Sequence, residues 1–190
     1  GDATHEGSRA PGQPLIRKPE EVGALRITNY ELPTAKLRTD GATETLLAGG
    51  FKKENIFDAP QKTTDDEGGF NASSPVLAQH PNIKKWVIFA LNEESVLGGV
   101  RATEQLHIPA ADVIGVGING AGEAFAEFQK KEPTGFYGTI AVSSTMHGRE
   151  STENLVEWIK DGKQPPADTQ TTGKLMVRSN WQDVRKELGI

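Results

Sequence analysis

Trp86-Val87-Ile88-Phe89-Ala90-Leu91 ends at Asn92, and Val113-Ile114-Gly115-Val116-Gly117-Ile118 ends at Asn119. Both runs are apolar without polar alternation, as expected of parallel strands buried on two faces. A helical pattern follows each asparagine. Val96, Val100, Thr103 and Leu106 come after the first; Ala121, Ala124, Phe125 and Phe128 come after the second. Two such units in succession predict an open α/β sheet, in which ligands bind outside the carboxyl ends of the strands. An amide at that place offers two donors and an acceptor with two lone pairs. That suits a neutral polyol and suits proton transfer poorly. Asparagine is equally a preferred helix N-cap, and a capping side chain at a strand-to-helix turn already borders the crevice. From the sequence, both readings of Asn92 and Asn119 stay open.

The same alternation extends outward. Strands are predicted at 24–28, 55–57, 86–91, 112–118, 135–140 and 174–177. Helices are predicted at 34–49, 65–80, 94–106, 120–131 and 144–160. Gly49-Gly50 marks a helix stop, and Pro75 interrupts the pattern of the 65–80 helix. Ser179 with Gln182 has the spacing of a capping box for a terminal helix carrying Trp181, Val184 and Leu188. Residues 1–23, rich in glycine and proline, read as a flexible tail, and 24–190 as one lobe. Asp161-Gly162 and Pro165-Pro166 mark a linker after the long helix. The fold class is α/β, a three-layer doubly wound and mostly parallel sheet.

Composition narrows the function. With 190 residues the chain can bury a full core without staples. It has no cysteine, which excludes disulfides and thiolate metal sites. Net charge is −5, and the lysine pairs 52–53, 84–85 and 130–131 are scattered, so no nucleic-acid stripe forms. No apolar run approaches the ~18 residues of a membrane span. The start of the chain carries no secretory leader pattern, which by itself predicts a cytoplasmic or already processed chain.

Gly115-Val116-Gly117-Ile118-Asn119-Gly120 fits the G-x-G-x-x-G dinucleotide pattern. A working fingerprint places the turn at its first glycine and an acidic residue about 20 positions on. Here Val116 and Ile118 continue the strand, and Thr139-Ile140-Ala141 holds the acidic place. His5, His80, His107 and His147 lack metal-ligand spacing, and no serine sits in a nucleophile elbow. Glu93-Glu94 and Asp65-Asp66-Glu67 fit first turns of helices, where negative charge is favourable. Thr34 and Arg38, four residues apart, share a helix face at the crevice end, where a guanidinium offers a fork of donors. No catalytic residue, metal site or cofactor is predicted.

At these residues a resemblance enters. Leu91-Asn92, Val96-Leu97-Gly98-Gly99-Val100-Arg101-Ala102-Thr103-Glu104, Gly115 to Gly120, and Thr134-Gly135-Phe136-Tyr137-Gly138 resemble the bacterial periplasmic L-arabinose-binding proteins, members of the type I periplasmic sugar-binding family. The similarity runs from about Val22 to Leu188 and is dense between Gln79 and His147. It implies a fold of two α/β lobes joined by three crossings, with one sugar closed between them. This chain is similar to the C-terminal lobe alone. The resemblance gives Arg38 the place of the arginine that donates to the sugar and its ring oxygen. Leu32 and Thr34 line the same wall, Leu91 stands where the family has methionine, and Asn92 and Asn119 match the two amides on sugar hydroxyls. The family's next aspartate falls on Gly122, which leaves Glu123 as the nearby carboxylate.

The resemblance also implies partners: a monosaccharide such as L-arabinose or galactose, the missing N-terminal lobe, and, once that lobe is supplied, the membrane subunits of an ABC importer. It implies a periplasmic location. Residues 141–170 correspond to a crossover helix and linker that contact the missing lobe. Left uncovered, the stripe of Gly148, Thr152, Leu155, Val156 and Ile159, with Trp158 beside it, predicts a homodimer through helix 144–160. Other classes remain: an effector-domain-like module of a sugar-responsive repressor, and a nicotinamide-dinucleotide-binding domain.

Overall fold

A computed structural model describes residues 21–169 and 171–190. Most of the tail at 1–23 therefore lies outside the described residues. The elements are β1 (Val22–Thr28), α1 (Pro33–Ala48), β2 (Ile56–Pro60), α2 (Asp66–Gln79), β3 (Lys85–Phe89), α3 (Glu93–Gln105), β4 (Val113–Asn119), α4 (Gly122–Phe128), β5 (Phe136–Ala141), α5 (Ser144–Asp161), β6 (Lys174–Val177) and α6 (Trp181–Leu188). The sheet order is β2-β1-β3-β4-β5-β6. All neighbours pair in parallel except β5 and β6. This is the predicted doubly wound, mostly parallel α/β architecture.

The order reverses between β1 and β3. From β1 the chain moves one way to β2, and from β3 it moves the other way to β4. Right-handed crossovers then send α1 to one face and α2, α3 and α4 to the other. The crevice between the β1 and β3 ends is the topological switch point, where ligands of such sheets bind.

The two faces are packed unequally. Over one, Leu25, Ile27, Trp86, Ile88, Val96, Val100, Val113, Phe128 and Phe136 form the main core. There α2 and α3 lie close because Gly98 has no side chain: a Cβ would stand 2.1 Å from the Asp66 carbonyl oxygen. Over the other face, α1 covers Val22, Ala24 and Phe89 together with Phe51, Ala42 and Leu46. Arg26 of β1 anchors it through Asp40 at 2.5 Å and Thr39. Beyond α1 this face is open among the described residues. Ile114 and Leu175 are 49% and 47% exposed. Helix α5 buries none of its residues, and Leu155, Val156, Trp158 and Ile159 stay exposed.

Several predicted boundaries shift. β1 begins at Val22, and β3 stops at Phe89, so Asn92 lies three residues past its strand. α4 covers Gly122–Phe128 and not the whole of 120–131, because its cap is Ala121 and its chain turns away at Gln129. α2 runs unbroken through the exposed Pro75. The predicted Ser179 capping box is absent. Asn180 holds the cap position and spends its amide on the backbones of Val177 and Leu175, tying the turn to β6.

Candidate functional site

The site is built where α1, α3 and α4 begin. Leu32 is the N-cap residue of α1 and is 42% exposed. It lines a hollow with Asn29, Glu31, Lys62, Thr63, Thr64 and Asp65. Thr34 stands in the first turn of α1, and its side chain lies outside the described residues. One turn on, Arg38 reaches across the switch point and donates to the Leu91 carbonyl at 2.5 Å. The arginine is exposed, and its remaining donors have no protein partner among the described residues.

Asn92 follows Leu91 and is buried. Its Oδ1 accepts from the Ser95 amide at 3.1 Å, which makes it the N-cap of α3. Its Nδ2 donates to the Thr64 carbonyl at 2.7 Å. The cap reading therefore holds for Asn92. One Nδ2 hydrogen and the second Oδ1 lone pair have no partner among the described residues.

Asn119 differs. It is the last residue of β4 and does not cap α4, whose N-cap is Ala121. Its φ is 138°, outside the range that L-residues prefer. Its backbone is pinned by the Val142 amide, which donates to its carbonyl at 2.9 Å. Its side-chain amide makes no hydrogen bond among the described residues. The strand runs on through Val116 and Ile118, so the turn starts at Asn119 and not at Gly115. Gly115 and Gly117 are buried strand residues packed beneath Val96, Val100 and Glu93.

Glu93 was not singled out as a site residue by its position, since a first-turn acid is ordinarily solvated. It is fully buried. Its carboxylate accepts from Gly120 N at 2.9 Å, Ala121 N at 2.7 Å and Thr139 Oγ1 at 2.9 Å. Glu94 and the exposed Glu123 bring carboxylate oxygens within 4.8 Å of it and of each other. This is the one grouping of potential metal ligands among the described residues. Glu93 already spends both oxygens on three protein donors. Burial raises the Glu94 carboxyl above its ordinary value, and the charges of Glu93, Glu123 and Asp66 push the same way. Asp66 is raised for the same first reason, burial.

The arrangement can hydrogen-bond a neutral polar molecule from two neighbouring strand ends. Of the three tryptophans, Trp86 is in the core, Trp181 stacks on Phe125, and Trp158 is exposed on α5.

The sheet order and its switch point define a protein of the open α/β class. The family model described as periplasmic binding proteins and sugar binding domain of the LacI family matches residues 1–179. The chain belongs to that family, the type I periplasmic sugar-binding proteins. It is 86% identical over 173 residues to the ABC transporter L-arabinose-binding periplasmic protein of Azospirillum brasilense, covering 91% of this chain and 52% of that protein. It is 39% identical over 196 residues to the L-arabinose-binding periplasmic protein of Escherichia coli K12, covering 99% and 59%. The chain thus spans about half the length of the relatives it matches. Among solved structures, the periplasmic ribose ABC transporter from Conexibacter woesei superposes with a TM-score of 0.73 at 17% identity, covering 87% of this chain and 54% of that one. That likeness establishes the fold.

Proposed function

We infer that this chain is the C-terminal sugar-binding lobe of a periplasmic L-arabinose-binding protein that serves an ABC importer. The observation that carries this reading is the Arg38 bond across the switch point to the carbonyl of Leu91, the residue before Asn92, with an Asn119 side-chain amide that has no partner among the described residues at the end of the adjoining strand. These groups give hydroxyls both donors and acceptors, which supports a binding activity. Leu32, Thr34 and Leu91 supply the wall. Glu123 is the rim carboxylate in place of the family's aspartate. The complete function needs the first lobe, which closes on the sugar by hinge motion. The importer's membrane subunits engage only that two-lobed form. A repressor effector module is the second reading, since the family includes such domains. The 86% identity to a transport protein favours the first.

NMR titration of this chain with L-arabinose is the test. Weak, saturable shifts at Arg38, Asn92 and Asn119 are expected, strengthened when a chain carrying the first half is added. Shifts confined to the opposite end of the sheet would overturn the site. Sub-micromolar affinity of this chain alone in calorimetry would overturn the half-site reading.

The bare stripe of α5 supports a second element of the proposal, self-association. An apolar helix stripe and an open parallel-sheet face on one chain both gain by being covered. Light scattering over a concentration series should show a homodimer through helix 144–160 that is lost in Ile159→Glu. A strict monomer at every concentration would defeat it.

A further inference from the structure

We propose that Glu93 is a positioning residue that sets the direction of the Asn119 amide, so that the dipeptide Asn92-Glu93 arms one strand end and shapes the other. The inference rests on the reading of Asn119 as a sugar contact. Its support is geometric. Glu93 is the first residue of α3, yet its carboxylate turns away from its own helix and into the β4–α4 turn. The approach is possible because Gly117 has no side chain: a Cβ there would lie 2.6 Å from Glu93 Cα and Cβ.

Helix α4 has no capping side chain of its own. The amides of Gly120 and Ala121, at its entry, are satisfied by Glu93, together with the Thr139 hydroxyl from β5. A charged acceptor on backbone amides makes about twice as strong a hydrogen bond as a neutral one. Asn119 immediately precedes those amides. Its φ of 138° is a conformation that L-residues rarely adopt unaided, while the φ of 80° at Gly120 is open to glycine. Two ties hold them: Glu93 on one side and the Val142 amide on the Asn119 carbonyl on the other. The Asn119 side chain has no tie of its own, so the backbone alone aims it. The recognised ligand class is a sugar presenting neighbouring hydroxyls to an aimed amide.

The test uses Glu93→Gln, which keeps the side chain's shape and turns one acceptor into a donor facing a donor. Hydrogen exchange at Gly120 and Ala121, followed by NMR in this chain, should accelerate about tenfold while Ile88 and Val100 stay unchanged. Glu93→Gln should also weaken L-arabinose binding about tenfold, read from the Asn119 side-chain resonances. That loss should disappear in the Asn119→Ala background, read there from Asn92 resonances; a general destabilisation would lower affinity equally in both. Should Glu93→Gln fail to fold, Thr139→Val removes one partner and should raise exchange at Gly120 and Ala121 by a smaller factor. Unchanged exchange at those two amides overturns the proposal, as does an equal affinity loss in both backgrounds. A wild-type Asn119 that ignores sugar removes the sugar reading, while the exchange result still decides whether Glu93 holds the turn.

Discussion

The β3–α3 and β4–α4 turns look alike in sequence and are built differently. Asn92 has extended backbone, with φ −146° and ψ 172°, and its carbonyl-bearing side chain folds back to cap α3. Its amide is mostly consumed by Ser95 and Thr64. Asn119 has φ 138° and does not cap the following helix, and Glu93 holds the turn into that helix through the Gly120 and Ala121 amides. One asparagine holds the fold and keeps a remnant for a ligand. The other serves the fold through its backbone alone, and its side-chain amide has no hydrogen bond among the described residues. An identical residue at an equivalent place in a repeated unit can therefore carry opposite shares of stability and recognition.

The comparison breaks first at Glu93. Glu93→Ala leaves three donors, two of them buried, without an acceptor and should cost about 3 kcal/mol in urea unfolding. A cost below about 1 kcal/mol would mean that the β4–α4 turn stands without it. Asn92→Ala should cost about 1.5 kcal/mol, the worth of a good cap plus a tie to Thr64. Asn119→Gly should do the reverse and stabilise by about 1 kcal/mol, since glycine accepts the positive φ without strain. Both changes should weaken sugar binding, so stability and affinity move together at 92 and apart at 119. Parallel losses at both positions would erase the distinction.

The smallest effect lies at Glu94, beside the second turn. Burial, then Glu93, Glu123 and Asp66, raises its carboxyl. A carboxyl raised in the folded state favours its protonated form. Its contribution is therefore fully present in acid, below the unfolded value, and is lost as pH rises through the folded value. Glu94→Gln should be more stable than the wild type by about 0.5 kcal/mol near neutrality. The gap should close below about pH 4, where the wild-type carboxyl is protonated in both states. Thermal melts of the two proteins across pH would show it.

Within the site, legibility followed the range of the interaction. Arg38 was readable because it lies four residues into a helix that starts at a strand end. Its partner, the Leu91 carbonyl, is 53 residues away and left no local mark. The sequence places Glu93 only as a first-turn acid, since its neighbours in sequence are those of any helix start. Its burial depends on Gly117 and Thr139, which lie 24 and 46 residues further along the chain. The capping box at Ser179 failed for a related reason: Asn180, one residue on, was claimed by β6.

By itself the sequence determined the α/β class, the succession of elements and the strand-to-helix connections beside which Arg38, Asn92 and Asn119 stand. Hydrophobic periodicity, glycine and proline stops and cap residues act over a few positions, so they can be read along the chain. The tertiary structure alone decided which asparagine is spent on the fold, which acid is buried, and which face of the sheet and which helix are left open among the described residues. Those outcomes depend on where the reversal between β1 and β3 sends each crossover. They depend equally on which distant backbone amides come within hydrogen-bond reach of a given side chain, and no local pattern encodes that distance.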